Sequence, residues 1–172
     1  FTTAGRVEVG GKVILVMPEA PLTQHGWRFT DGATSSTETS GTSNAPTITF
    51  TTPSSSAPAA VSVGYTLSTR TLVLTVGAND LAQSASCVFT ITNALTPSSV
   101  VGVNNVEATT RDSQDKDVDS TSSMATDQIV SGALTSATFA TAVDTPGYAS
   151  VATVSFTTAG RVEVGGKVVL VM

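Results

Sequence analysis

Four carboxylates cluster in one short segment of the sequence, and they are the residues best suited to bind a metal ion. Clustered carboxylate oxygens are the ligands that Ca²⁺ prefers in proteins. The segment does not match an EF-hand loop, because it lacks the turn glycine and the terminal glutamate. We therefore expect a solvated hairpin tip and no cofactor, with Ca²⁺ binding as the alternative. The four residues are Asp112, Asp115, Asp117 and Asp119.

The only histidine and the only cysteine are the other groups with catalytic or metal-binding potential. Acyl transfer needs a nucleophile beside a base, and a zinc site needs several His or Cys ligands. One residue of each type therefore indicates that the protein is not an enzyme. His25 is expected in a surface loop. Cys87 alternates with Ala85, Phe89 and Ile91 on the apolar face of a predicted strand, which indicates a buried, inert thiol; a disulfide between units is the alternative.

Two features suggest contact with carbohydrate. The only tryptophan, Trp27, lies in the longest irregular stretch, residues 19–45, and loops of this length are often functional. We expect the ring to close one end of the fold, and stacking of the ring on a bound glycan is the alternative. The segment TTPSSSAP has a composition typical of O-glycosylated proteins. Its candidate glycosylation sites are Thr51, Thr52, Ser54, Ser55 and Ser56.

The strongest pattern in the sequence concerns architecture. Residues 1–17, FTTAGRVEVGGKVILVM, recur as residues 156–172, FTTAGRVEVGGKVVLVM, and the two copies differ only at Ile14 and Val169. Unrelated strands do not agree to this degree, so the chain contains a tandem repeat with a period of 155 residues. We expect a segment of a longer array of near-identical units, each long enough to form one domain.

Composition limits the partners and the location of the protein. Charged residues make up 12% of the chain, and its formal net charge is −5. An acidic surface repels phosphate backbones, so we expect no nucleic-acid partner. The apolar runs are far shorter than the roughly 20 residues that cross a bilayer, so we expect no membrane span. The abundance of Ser, Thr and Pro favours an extracellular or cell-surface location.

Short segments with alternating apolar residues recur along the chain, and none has the 3.6-residue periodicity of a helix. The sequence therefore predicts an all-β unit. Gly10 and Gly11 are predicted to form the turn of a hairpin between the first two strands. The predicted strands lie near residues 2–9, 12–17, 47–51, 61–67, 72–76, 85–92, 100–110, 127–130, 133–143 and 151–158.

The strand at residues 12–17 is apolar on both faces, which is typical of strands that are covered on both sides. In a two-layer sandwich the outer cover has to come from a loop, a neighbouring unit or another chain. We therefore predict that this strand and its second copy make the contacts between units or chains. The predicted assembly residues are Val13, Ile14, Leu15, Val16, Met17, Val168, Leu170 and Met172.

The repeat also predicts where the units begin. If a unit opens near Leu134, residues 1–132 form a β-sandwich repeat that lacks its first strand, and residues 133–172 are the first strands of the next repeat. A missing strand leaves unpaired backbone groups at a sheet edge. We therefore expect the neighbouring unit or another chain to supply that strand, and strand donation between chains is one way to build fibres.

Three motifs carry a resemblance to a known class of repeats. They are VSFTTAG followed by GGKVVLVM at residues 154–172, TITNALTP at residues 90–97, and TTRDS followed by VDS at residues 109–120. Counted from the repeated segment, which also opens the chain, the motifs follow one another in this order within one period. They resemble the immunoglobulin-like β-sandwich tandem repeats of very large extracellular surface proteins of algae and bacteria. The resemblance implies an immunoglobulin-like unit in a fibre, stalk or adhesin, and it implies no catalytic residues.

Two functional hypotheses follow. The first is a structural subunit of an extracellular fibril or surface filament, a self-polymer of identical repeats that carries covalent O-glycans. The alternative is an adhesin or glycan-binding surface protein in which Trp27 contacts the glycan and the repeats act as a spacer. Identical units present identical surfaces, which favours regular assembly and therefore the first hypothesis.

Overall fold

The computed structural model describes residues 1–19, 26–29, 46–52, 60–97, 99–160, 162 and 165–172. In this part of the chain the only helix is a 3₁₀ turn at Leu67–Thr69, and none has the length and apolar character to cross a membrane. The strands are, in chain order, β1 (Lys12–Val16), β2 (Arg28–Phe29), β3 (Ile48–Thr52), β4 (Ala60–Thr66), β5 (Thr71–Val76), β6 (Val88–Ile91), β7 (Ala94–Leu95), β8 (Asn105–Arg111), β9 (Asp117–Ala125), β10 (Thr135–Thr141) and β11 (Ala152–Thr157).

The largest element is a five-stranded antiparallel sheet in the order β4-β5-β1-β8-β9. β1 lies at its centre and pairs with β5 on one side and with β8 on the other. Side chains alternate between the faces of a strand, so Val13 and Leu15 point to the buried inner face and Ile14 and Val16 to the outer face. The inner residues of β1 contact inner residues of both neighbouring strands, which puts β1 in the middle of the core.

A second layer faces the inner side of this sheet and consists of two short antiparallel pairs, β3 with β6 and β2 with β7. Phe29 of β2 packs edge-to-face on Tyr65 of β4, with ring centroids 5.0 Å apart. The architecture is all-β with several antiparallel sheets in two layers, consistent with a β-sandwich. The buried apolar residues of the core are Val7, Val13, Leu15, Phe29, Tyr65, Leu72, Leu74, Val76, Leu81, Cys87, Val106 and Ala108.

Residues 1–11 differ from the predicted strand and hairpin. They form isolated bridges to Ser86 and Leu81 and do not pair with β1. The glycine turn is present, but it carries the chain from this segment into the five-stranded sheet. Gly10 has a φ of 87°, a left-handed conformation that glycine adopts without steric cost. The Gly-Gly sequence predicted the turn correctly, and the pairing partner was wrong.

Strand β9 is absent from the predicted strands, although the hairpin tip expected at residues 112–119 implies a strand after it. It pairs with β8 along one edge of the five-stranded sheet, whereas the predicted strand at residues 127–130 is reduced to one bridge between Ile129 and Val101. β9 is rich in Ser, Thr and Asp, and all its residues are exposed or half-buried, so it has no apolar period to detect. Polar edge strands of this kind discourage pairing with other chains.

The described residues between 133 and 172 add nothing to the core. β10 and β11 form a separate two-stranded sheet, and Phe156 is the only described residue of this region that is not exposed. Every buried residue in the described part of the chain lies between Thr3 and Thr110. The domain boundary between residues 132 and 133 stays a prediction, and the core ends before it.

Equivalent leucines in the two copies are expected to differ in their contribution to stability. Leu15→Ala should lower the free energy of unfolding by about 2–5 kcal/mol, because truncating a buried leucine removes contacts and leaves a cavity. Leu170→Ala, one period later and 55% exposed, should change it by less than about 0.5 kcal/mol. Urea denaturation of both variants measures the difference, and equal losses would mean that the second copy is packed as well as the first.

Candidate functional site

The two copies of the repeated sequence lie in different environments. Val13 is 1% exposed, whereas its equivalent Val168 is 59% exposed. The first glycine of the pair has nearly the same φ in both copies, 87° at Gly10 and 86° at Gly165. The residues that follow it form a strand only in the first copy. The predicted assembly residues of the second copy, Val168, Leu170 and Met172, are all exposed.

The predicted assembly residues of the first copy divide between the two faces of β1. Val13 and Leu15 lie in the core of their own unit, where their neighbours are residues of the same chain. Ile14, Val16 and Met17 are half-buried. Among the described residues, β1 is thus fully covered on its inner face and only partly on its outer face, where the sequence predicted cover on both.

A polar cavity of about 410 Å³ opens at the end of β1. Arg70 lines it and donates from Nε to the carbonyl oxygen of Met17 at 3.1 Å. Its guanidinium also lies 3.9 Å from the Glu19 carboxylate. Asn104 and Glu107 line the same cavity. Amide, carboxylate and guanidinium groups together form a surface suited to hydroxyl-rich ligands.

Phe1 pairs with Cys87, directly before β6. The Cys87 amide donates to the Phe1 carbonyl at 2.8 Å, and the Phe1 ammonium donates to the Cys87 carbonyl at 3.1 Å. The Phe1 ring packs edge-to-face on Phe89 of β6, with ring centroids 6.3 Å apart. The first residues of the chain therefore lie antiparallel to the residues just before β6 and form an isolated bridge with them.

The edge of β6 on the Phe1 side has no partner strand among the described residues. Alternate residues of an antiparallel strand direct their backbone groups to opposite sides. Thr92 donates to the Thr47 carbonyl at 3.0 Å, on the β3 side. Phe89 and Ile91 therefore direct their amides and carbonyls to the open side, the same side on which Cys87 meets Phe1.

A cavity of about 80 Å³ begins beside Phe1 and lies against the inner face of β8 and β9. On that face Ala108 is opposite Thr121, and both line the cavity. No residue of β9 is buried. The second layer, as far as the structure describes it, therefore leaves the β9 side of the inner face open.

Asp119 fixes residues 1–11 to this side of the sheet. Its Oδ1 accepts the amides of Ala4 at 3.1 Å and Gly5 at 3.2 Å, and its Oδ2 accepts the Thr110 hydroxyl at 3.1 Å. The sequence predicted that Asp119 lies in an acidic cluster. Its contacts are those of an anchor for the first copy of the repeat.

The other three carboxylates of the cluster also have partners within the chain. Asp115 accepts a hydrogen bond from Lys12 Nζ at 2.6 Å, which lowers the pKa of Asp115 below its usual value. Asp117 accepts one from Arg111 Nε at 2.8 Å, and Asp112 accepts two amides of its own turn. Among the described residues no group of three or more His, Cys, Asp or Glu side chains is placed to hold a metal ion, so Ca²⁺ binding gains no support here.

Asp80 is a second anchor for residues 1–11, and the sequence did not single it out. It binds the Arg6 guanidinium through Nε at 2.9 Å and through a second nitrogen, and it accepts the Val9 amide at 2.7 Å. The hydrogen bond from Arg6 and then that from Val9 hold the pKa of Asp80 below its usual value. The same pair raises the pKa of Arg6.

The residues predicted to contact carbohydrate lie partly within the described chain. Trp27 is half-buried and lines a crevice of about 10 Å³ with Pro18 and Pro97, and its contact with a glycan stays a prediction. Thr51 is exposed and Thr52 is half-buried. Outside the described residues lie His25, Ser54, Ser55, Ser56 and most of the loop at residues 19–45.

Comparison with models of known protein families, with curated proteins and with solved structures finds no match for this chain. The site is therefore defined by its own geometry: the buried first copy, the exposed second copy and the open edge of β6. Sequence reasoning found the two copies and missed the edge. Alternation at residues 85–92 predicts a strand, but it does not show which side of that strand stays unpaired.

The Asp80 contacts predict a contribution to stability that depends on acidity. A carboxyl group whose pKa is lower in the folded chain stabilises the fold above its unfolded pKa of about 3.9, and this stabilisation is lost as the pH falls through the folded pKa. Asp80→Asn should therefore lower the free energy of unfolding at neutral pH, and the difference between wild type and variant should shrink as the pH falls below the unfolded pKa and through the lower folded pKa. Urea denaturation across this range tests it, with the exposed Asp127→Asn as control. A constant difference at all pH values would contradict it.

The Cys87 thiol is expected to be inert in the folded chain. Burial raises its pKa to about 11 from a reference value of 9.0, and the thiolate is the reactive form. At pH 8 the thiol should react with Ellman's reagent at least about 100-fold more slowly than in the urea-unfolded chain. Rapid reaction of the folded chain would show an accessible thiol and would favour the disulfide between units.

Proposed function

We propose that this chain is a structural subunit of an extracellular fibril or surface filament, built from tandem, near-identical immunoglobulin-like β-sandwich units. The observation that carries the proposal is the contrast between the two copies of the repeat. Leu15 lies in the core of a sheet, whereas Leu170 in the same local sequence is exposed. In this proposal the second copy gains its burial between partner strands of a further unit, to which residues 133–172 belong.

The antiparallel pairing in two layers supports a sandwich, and the order of the three sequence motifs supports its immunoglobulin-like character. The Ser/Thr/Pro-rich composition supports a location outside the cell and modification by O-glycans. The clustered carboxylates bind donors of their own chain, and such contacts can stabilise the unit. In such a fibre the partners of the chain are further copies of the same repeat.

Carbohydrate binding is the second candidate function, and one observation favours it. The polar cavity of about 410 Å³ at the end of β1 falls within the size range of small-ligand sites. Its Arg70, Asn104 and Glu107 side chains offer both hydrogen-bond donors and acceptors. In this alternative the repeats are a spacer that presents the cavity.

Electron microscopy of a chain with three consecutive 155-residue periods tests the fibre proposal. We expect uniform filaments whose axial repeat matches one unit, about 40 Å for a compact domain of this length. Ile14→Lys in every unit should disperse laterally associated filaments, because it puts a charge on the half-buried outer face of β1. Gln83→Lys, on an exposed turn, adds the same charge as a control. Separate flexible beads in the unsubstituted chain would contradict the proposal and favour the carbohydrate-binding spacer.

A further inference from the structure

We propose that successive units of the array meet end to end in a fixed orientation, through an apolar interface around the short segment that joins them. The partner is the following unit of the same chain, and the residues that it covers in the preceding unit are Val100 and Val130. This contact presupposes the proposed fibre, and it specifies how one unit is joined to the next and why a single array is stiff.

The preceding unit remains paired up to Ile129, beyond the ends of β8 and β9. The Thr126 amide donates to the Asn104 carbonyl at 2.7 Å. Further along, Ile129 and Val101 donate to each other's carbonyls at 2.8 Å and 3.1 Å. Two residues that exchange both backbone hydrogen bonds are held as they are in an antiparallel sheet. The segment after β9 is therefore part of the unit and not a free linker.

The following unit begins at Gly132. This residue lies so close to Ala159 that a Cβ atom at position 132 would collide with the Ala159 side chain, so the close backbone approach requires glycine. Ala159 is the equivalent of Ala4 one period later. Thr135 then pairs with Thr157 in the β10–β11 sheet. Gly132 therefore already packs on the repeated segment of the following unit.

Only Val130 and Ser131 lie between these two points. The three peptide steps from Ile129 to Gly132 span at most about 11 Å. A compact domain of one 155-residue period is about 40 Å across. Bodies of this size on so short a connection lie against each other, and their contact limits how far one can tilt relative to the other.

Two exposed valines flank this connection on the preceding unit. Val100 lies opposite Val130 in the register that Val101 and Ile129 set, so both side chains point to the same face. Val100 is 57% exposed and Val130 is 67% exposed. Burial of apolar surface favours association, and the connection holds the following unit within about 11 Å of both side chains. The following unit is therefore the partner that covers them.

The opposite end of each unit also carries an exposed valine. β1 runs from the Gly10 turn to Val16, and Val16 is opposite Glu107 near the start of β8. Ile129 lies beyond this start of β8, so the Gly10 turn is at the other end of the sheet. Val9 directly precedes the turn and is 48% exposed. Each unit therefore has an apolar linker end and an apolar turn end.

The chain enters the following unit at the turn end of that unit. β10 begins opposite Thr157, the last residue of β11, and Thr157 is the equivalent of Thr2. In the first copy the chain runs from Thr2 to the Gly10 turn. The connection therefore brings the linker end of one unit to the turn end of the next, which carries Val9 in each complete unit. Such a head-to-tail contact is the same at every junction and extends linearly.

Distances between spin labels on a chain of three consecutive periods test the fixed orientation. Gln83→Cys in the first and second units puts one label on an exposed turn of each, while Cys87 stays buried. Double electron–electron resonance on the dilute chain should give one narrow distance. Insertion of a flexible Gly/Ser segment between Ser131 and Gly132 provides the mobile reference. An equally broad distribution without the insertion would overturn the proposal.

Charged substitutions test the apolar interface from both sides. Val9→Lys in the second unit should broaden the distance distribution, because it puts a charge into an apolar contact. Val130→Lys in the first unit should do the same from the linker end. Val88→Lys is the matched control, since Val88 is exposed to the same degree, 49% against 48% for Val9, and lies on β6 in the second layer. Unchanged thermal unfolding shows that each variant keeps its fold.

The outcomes separate this proposal from the fibre proposal. A narrow distance that broadens with Val9→Lys and not with Val88→Lys supports the end-to-end contact, even if microscopy shows no filaments. Filaments built from chains whose labels are as mobile as in the insertion variant overturn the contact and leave the fibre in place. A narrow distance that neither Val9→Lys nor Val130→Lys broadens also overturns the interface, because the short connection alone would then fix the orientation.

Discussion

The central position of β1 is the constraint on which the rest of the structure depends. In the five-stranded sheet, β5 and β8 are joined only through β1. Without this strand the sheet separates into the pairs β4–β5 and β8–β9, and isolated two-stranded hairpins are marginally stable in water. β1 also supplies Val13 and Leu15 to the middle of the core. The fold therefore has one position that must be filled by this sequence, and the chain contains the sequence twice.

The structure secures residues 1–17 by means that lie outside β1 itself. Asp80 binds Arg6 and Val9 of the segment before the strand. Asp119 binds Ala4 and Gly5 of the same segment. Both contact backbone amides, which depend on the path of the chain and not on side-chain identity. They therefore select a conformation of the segment, and they would select it equally in either copy.

The fold class could be predicted from the sequence, and the pairing of strands could not. Alternation identified β3, β4, β5 and β6, because each has one apolar face. β9 escaped because it is a polar edge strand with no apolar period. The Gly-Gly turn was predicted correctly, but a turn signal does not say which strand lies next to the following one, and the neighbours of β1 come from distant parts of the chain. The acidic cluster could be found in the sequence because composition shows where carboxylates are concentrated. The donors that these carboxylates bind are visible only in the folded chain.

Two sheet edges of this molecule differ in the side chains that they present. β9 presents Asp, Ser and Thr at its edge, and such residues oppose pairing with foreign strands. β6 presents Phe89 and Ile91 next to a Phe1–Cys87 pair that already sets the register. Asp119 and Asp80 hold the residues that follow Phe1, and β5 and β8 then flank β1. Residues 165–172 repeat the end of this segment but form no strand, and Val168 and Leu170 are exposed. Burial of the repeated sequence therefore depends on the strands beside it and not on its own composition.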